Sequence, residues 1–99
     1  MMTQPLRRHI VMAWFRSEDW EEIKALCPRG DLQETYDHWY ENVQGGLKGL
    51  GVTEDEIEKS ILTPDYLRNW QALNVGPINS LVRMRLAIEI AVQGKKTLH

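Results

Sequence analysis

Four carboxylates, Glu18, Asp19, Glu21 and Glu22, cluster where a helix is expected to begin. Carboxylate oxygens bind hard cations, and they also act as general acids or bases. The same residue types stabilise the positive end of a helix dipole, and that role needs no ligand. We interpret the cluster as the start of a helix, and we predict neither a metal site nor a catalytic site there.

The histidines and the single cysteine do not form a ligand pattern. His38 has Asp37 and Glu41 nearby but no second histidine one helical turn away, and His9 and His99 stand alone. Cys27 precedes Pro28 at the expected end of a helix, where no positive dipole end lowers the pKa of the thiol. Glycine-rich phosphate loops, paired-cysteine zinc motifs and nucleophile motifs are absent from the sequence. We therefore predict no catalytic residue, no metal ligand and no cofactor.

A helix-turn-helix over residues 66–93 is the most specific alternative in the sequence. Counted from Arg68, the small residue Ala72, the glycine Gly76 and the β-branched Val82 fall at positions five, nine and fifteen of that motif. Val75 also fits the pattern. The phosphate contacts would come from four basic residues, namely Arg83, Arg85, Lys95 and Lys96.

The last helix is the strongest candidate for an interface. Nine of the twelve residues from Leu81 to Val92 are apolar, more than one buried helix face needs in a domain of this size. The sequence predicts a homodimer with an interface that includes Leu81, Met84, Ile88 and Val92. Arg83 and Arg85 would lie beside this interface, and Glu89 of the other copy would pair with one of them across it.

The sequence predicts an α+β, mainly helical fold that positions these residues. It would consist of about four helices with a minimal two-strand pair. The strands are expected at 8–15 and 56–62, and a connection through two helices would make them parallel. Thr53 and Glu56 also form a capping box, so 56–62 could instead be helical, and the fold would then be all-α.

The helices carry clear boundary signals. Helix 2 has an apolar stripe that includes Tyr36, Trp39 and Val43, and its internal Gly45 and Gly46 require a close helix crossing or a bend as compensation. Thr63 and Pro64 begin helix 3, whose apolar face is Tyr66, Leu67, Trp70 and Leu73. Asn79 or Ser80 begins helix 4, which is expected to end at Gln93 with Gly94 as its stop.

Length and composition indicate a single small globular domain over residues 1–99, with an ordered core at about 8–93 and flexible termini. The net charge of −2 excludes binding to nucleic acid by overall charge, although a local basic patch remains open. A single cysteine and the lack of a signal-like or membrane-spanning apolar run indicate a cytoplasmic protein. We interpret the four tryptophans as core residues, with an aromatic binding surface as the alternative.

Three aromatic segments resemble a group of short bacterial proteins that have no assigned activity. The segments are Trp14-Phe15-Arg16-Ser17-Glu18-Asp19-Trp20, Thr35-Tyr36-Asp37-His38-Trp39 and Thr63-Pro64-Asp65-Tyr66-Leu67-Arg68-Asn69-Trp70. In that group the segment before Pro-Asp resembles a β-strand rich in Val and Ile, and a cysteine follows the last Trp. Ser60 and Gln71 depart from those two features. The resemblance implies no catalytic residue.

These observations predict a non-enzymatic bacterial accessory or protein-interaction protein. Its partner would be itself or another protein, with no membrane association. DNA binding through residues 66–93 is the second hypothesis, and a small-ligand or metal-dependent enzyme is the third.

Overall fold

Two short parallel strands form the sheet in a computed structural model that describes the backbone of residues 10–96 and the side chains of 10–94. Strand β1 is Ile10–Trp14 and β2 is Ile57–Ile61, with Ile10 opposite Ile57 and Trp14 opposite Ile61. The described residues also form four α-helices, two between the strands and two after them. The α+β prediction is confirmed, and the all-α alternative is wrong.

Both local signals in residues 52–62 are real, because they act on successive segments. The backbone N–H of Thr53 donates to the Glu56 carboxylate at 2.8 Å, which completes a capping box. The box encloses a single 3₁₀ turn, Glu54–Glu56, and the chain then becomes extended at Ile57. The capping box therefore begins a turn that leads into β2 rather than a full helix.

Helices α1 and α2 follow β1. A 3₁₀ turn, Ser17–Asp19, precedes α1, which is Trp20–Leu26. Helix α2 is Tyr36–Leu50, and its first turn is capped by the Thr35 hydroxyl, which accepts the His38 N–H at 3.1 Å. Gly51 ends α2 in the left-handed conformation, with φ of 70°.

The apolar stripe of α2 faces inwards. Trp39 is buried and Tyr36 and Val43 are half-buried. The two internal glycines have no packing role, because a Cβ on Gly45 or Gly46 would meet no atom within 4 Å. Of the two expected compensations, a close helix crossing or a bend, the close crossing is therefore wrong.

Helices α3 and α4 follow β2. Helix α3 is Pro64–Leu73, and the Thr63 hydroxyl caps it by accepting the Tyr66 N–H at 3.1 Å. Leu67 is fully buried, and α3 packs against α1. Leu73 is 84% exposed, so its predicted place on the buried face is wrong. It is the last residue of α3, and the residues that follow it, 74–77, are exposed as well.

Helix α4 is Ser80–Lys96 and lies on the strand pair. The Asn79 side chain caps it by accepting the Val82 N–H at 3.0 Å. The predicted stop at Gly94 is wrong, because the helix continues through that residue. A single glycine costs a helix only about 1 kcal/mol relative to alanine, which is not enough to end it without a left-handed turn.

The core contains a cluster of aromatic rings. Trp14, Phe15, Trp20 and Trp39 form one cluster in which neighbouring rings are separated by 5.0–5.6 Å between centroids. Trp70 is only half-buried. The Ser60 hydroxyl is also buried, and it donates to the Ala87 carbonyl oxygen at 2.7 Å, which joins β2 to α4. This bond explains why β2 accepts a serine where apolar residues are typical.

Candidate interaction surface

A stripe of aliphatic side chains lies on one outer flank of α4. Leu81 and Met84 are each 51% exposed, and Ile88 and Val92 are each 47% exposed. Their spacing of three, four and four residues places them on the same side of the helix. We call these four residues the α4 stripe. The structure brings together all four residues predicted to form an interface.

The remaining apolar residues of α4 pack inwards. Leu86, Ala87 and Ala91 are buried, and α4 contacts both β1 and β2. The nine apolar positions therefore divide between a face that contacts the sheet and the exposed α4 stripe. This division explains why the sequence of α4 is apolar over so much of its circumference.

Arg83 is buried on the inner side of α4, away from the α4 stripe. Its side chain is 9% exposed, and Nη1 donates to the Asp31 carboxylate at 3.0 Å and to the Ile78 carbonyl at 2.8 Å. The exposed position expected for Arg83, whether beside a dimer seam or on a phosphate, is therefore wrong. Successive residues of a helix point in different directions. Arg83, one residue before Met84, therefore faces the segment that precedes α2 and not the side of the α4 stripe.

The other predicted basic residues have different surroundings. Arg85 and Glu89 are exposed on α4. Lys95 and Lys96 belong to the helix, but their side chains lie outside the described part of the chain.

Residues 66–93 do not adopt a helix-turn-helix. Helix α3 packs against α1, whereas α4 packs against the strands. Ala72 is exposed and Val75 is completely exposed, although the motif needs a buried small residue and a core residue at these positions. The connection spans residues 74–79, longer than the three or four residues of the motif's turn.

A groove of about 620 Å³ runs beside β1, between α2 and α4. Residues Ile10 to Ala13 of β1 line it, with Val43 of α2 on one side and Met84 of α4 on the other. The Arg83–Asp31 pair lies in its wall. Met84 belongs to both the groove and the α4 stripe, so the two apolar surfaces are continuous.

Cys27 is 8% exposed. Burial raises the pKa of its thiol above the ordinary value of 9.0, and the nearby Arg83 guanidinium opposes that shift only in part. A protonated, buried thiol is a poor nucleophile. Its surroundings therefore indicate a core residue.

Three carboxylates of the cluster at the start of α1, Asp19, Glu21 and Glu22, form ion pairs. Asp19 is buried and accepts from Arg16 Nε at 2.9 Å, which raises the pKa of the Arg16 guanidinium. Glu22 pairs with Arg68 of α3, which also contacts Asp65 at 2.9 Å. The Glu22–Arg68 pair joins α1 to α3.

The histidines lie apart from these groups. His38 is exposed on α2, whereas His9 and His99 fall outside the described residues. Within residues 10–96, no group of three His, Cys, Asp or Glu side chains is placed to hold a metal ion.

The groove beside β1 was not predicted from the sequence. The available signal is the apolar run from Ile10 to Phe15, which predicts a strand but does not show what covers it. Its four groove-lining residues are in fact half-buried.

No helix in the described part of the chain is long and apolar enough to cross a membrane. The search for similar proteins found no matching protein-family model, curated protein or solved structure.

Proposed function

We propose that the protein is a non-enzymatic interaction protein that self-associates as a homodimer through the α4 stripe. The observation that carries this proposal is the exposure of Leu81, Met84, Ile88 and Val92 on one flank of the helix. Each leaves about half of its surface in water, and contiguous apolar patches of this kind mark interaction sites.

The length of the α4 stripe suits a helix-to-helix contact. Leu81 and Val92 are eleven residues apart, which corresponds to about 16 Å along the axis. A two-fold axis would place the same stripe of a second copy against it, since dimers of this symmetry use one self-complementary surface. Burial of the four side chains removes apolar surface from water at about 25 cal/mol per Å².

Arg85 and Glu89 border the α4 stripe and carry opposite charges. Across a two-fold axis, Arg85 of one copy can face Glu89 of the other. Exposed pairs of this kind contribute at most about 1 kcal/mol, so their main effect would be on the register of the two helices.

We propose that the protein acts in the bacterial cytoplasm and has an accessory role there. Its support is the resemblance to short bacterial proteins and the single buried cysteine, which has no intramolecular partner for a disulfide.

The experiment is light scattering on the purified chain over a concentration series, with two matched variants. Ile88→Asp places a charge in the α4 stripe and is expected to give a folded monomer with a wild-type circular dichroism spectrum. Leu73→Asp places the same charge on an exposed residue of α3 and is expected to leave the dimer intact. A wild-type protein that stays monomeric at high micromolar concentration would overturn the proposal, as would an Ile88→Asp protein that remains dimeric.

A further inference from the structure

The backbone groups along the outer edge of β1 have no hydrogen-bond partner among residues 10–96. The Leu62 N–H donates to the Trp14 carbonyl at 2.9 Å, so the backbone groups of Trp14 point towards β2. These directions alternate along a strand, and Val11 and Ala13 therefore direct their N–H and C=O groups away from β2. No residue within 10–96 forms a hydrogen bond with these edge groups.

The two edges of the sheet differ in chemistry. Strand β2 contains Glu58 and Lys59, charged residues of the kind that protect an edge strand from pairing with another chain. Strand β1 is Ile-Val-Met-Ala-Trp, without a charge or a proline. Only the β1 edge therefore has the composition of a strand that pairs with another chain.

We infer that the β1 strands of two copies pair antiparallel about a two-fold axis beside Met12, which joins the two sheets into one of four strands. This inference rests on the proposed function, because it specifies how the two copies of that homodimer meet. The occupant of the β1 edge is a second copy rather than an unrelated segment, since the α4 stripe and the edge form one continuous surface through Met84.

The register follows from the direction of the edge groups. With the axis beside Met12, Val11 of one copy lies opposite Ala13 of the other. Both residues direct their N–H and C=O groups across the seam, so each Val11–Ala13 pair exchanges two hydrogen bonds. Met12 then faces Met12 of the other copy in a pair without hydrogen bonds, with the two Cα atoms about 4.5 Å apart.

The same axis brings the two α4 helices to contact distance. Helix α4 lies over both β1 and β2, and adjacent strands are about 4.8 Å apart. If each α4 axis lies midway between its two strands, the two helix axes are separated by two strand spacings, or about 10 Å. That value matches the 8–10 Å of packed helices. The two α4 stripes can therefore touch while the two β1 strands pair.

The area needed for a stable dimer also favours the combined surface. Specific interfaces bury about 800 Å² on each partner, more than a five-residue strand edge offers. The α4 stripe supplies apolar area and the β1 edge supplies directional hydrogen bonds. The pairing also extends a two-stranded sheet, which has little stability of its own.

The test is a cysteine cross-link in the full chain. Met12→Cys places two thiols opposite each other at a Cα separation within the range of disulfides, about 4.4–6.8 Å. Mild oxidation is expected to convert most of this variant into a covalent dimer on a non-reducing gel. Ile61→Cys is the matched control, because it is exposed on β2. It is expected to remain uncross-linked, as is the wild type with its buried Cys27.

Amide exchange in the unmodified protein gives a second readout. The Val11 and Ala13 amides are expected to exchange at least ~10-fold more slowly in the dimer than in the monomer. This factor corresponds to a stabilisation of the hydrogen-bonded strand edge by ~1.4 kcal/mol. The Lys59 amide, which points away from β1, is the control and is expected to change less.

The two proposals fail in different ways. A wild type that is dimeric by light scattering, with no Met12→Cys cross-link and no protection of Val11 and Ala13, would overturn strand pairing and leave the α4 interface intact. A wild type that is monomeric at every concentration would overturn both proposals.

Discussion

Nη1 of Arg83 donates to Oδ2 of Asp31 at 3.0 Å, across 52 residues of sequence. The same nitrogen donates to the Ile78 carbonyl, so one guanidinium connects α4 to the segment before α2 and to the segment before α4 itself. Arg83 is buried, whereas the Asp31 side chain is 34% exposed. A buried guanidinium is stable only where its donors are satisfied, so Asp31 keeps Arg83 in place.

Asp31→Ala is therefore expected to lower the free energy of unfolding by about 1–3 kcal/mol, the cost of leaving a buried charged donor without one acceptor. Asp31→Asn keeps an acceptor oxygen and is expected to cost less. Urea denaturation followed by tryptophan fluorescence measures both. Equal stability of Asp31→Ala and the wild type would show that water replaces the carboxylate without loss.

Local signals were sufficient to predict the elements of the fold. Thr63 followed by Pro64 predicts the start of α3, and the apolar run of β1 predicts a strand, because these features act within a few residues. The burial of Arg83 depends on Asp31, which lies 52 positions away in the sequence. A pattern of neighbouring residues contains no information about that partner.

The candidate site was predictable in part for the same reason. Helical periodicity selects the α4 stripe, from Leu81 to Val92, without knowledge of the fold. It does not show which side of α4 contacts the sheet, so it does not predict that Arg83 lies beneath the helix rather than beside the α4 stripe. Whether the outer edge of β1 is exposed depends on what covers the strand. The sequence of β1 is equally compatible with a central strand, so it does not predict an exposed edge.

The Ser60–Ala87 contact provides a test of how β2 is attached to α4. Ser60→Ala removes the hydroxyl that donates to the Ala87 carbonyl. That carbonyl keeps its intrahelical bond, so we expect a loss of only about 0.5–1.5 kcal/mol in the free energy of unfolding. Ser60→Leu would add volume at a position that is 1% exposed and is expected to cost more. A Ser60→Leu protein more stable than the wild type would contradict this packing.

Glu54 predicts a defined pH dependence of stability. Its carboxylate accepts from Lys59, the Tyr40 hydroxyl and Gln44, and these bonds lower its pKa below the ordinary value of 4.5. Because the folded pKa lies below the unfolded one, the stabilisation is fully present above about pH 4.5 and is lost as the pH falls through the folded pKa. Urea midpoints of the wild type are expected to fall more steeply on acidification than those of Glu54→Gln. Glu18→Gln serves as an exposed control, and parallel curves for wild type and Glu54→Gln would contradict the assignment.

Trp39 is the ring on which the aromatic cluster is centred. Its centroid lies 5.0 Å from that of Trp14, 5.2 Å from Phe15 and 5.5 Å from Trp20. Trp39→Ala is expected to cost about 3–5 kcal/mol, as large buried aromatics do. The exposed neighbour His38 provides the control, and His38→Ala should leave the melting temperature nearly unchanged. A Trp39→Ala protein with a wild-type melting temperature would mean that the cluster does not hold the fold together.

Binding to duplex DNA is expected to be undetectable, and the reason is the position of the basic side chains. Arg83 forms an ion pair with Asp31, and residues 66–93 do not form the helix pair that would insert into a DNA groove. With a net charge of −2, the chain also lacks the general attraction to phosphate that drives non-specific binding. Fluorescence anisotropy with a labelled duplex at about 50 mM salt, a condition that favours phosphate contacts, measures this directly. Binding that weakens steeply with added salt and is reduced by Arg85→Ala would contradict the expectation, and it would show that the outer face of α4 contacts nucleic acid without a helix-turn-helix.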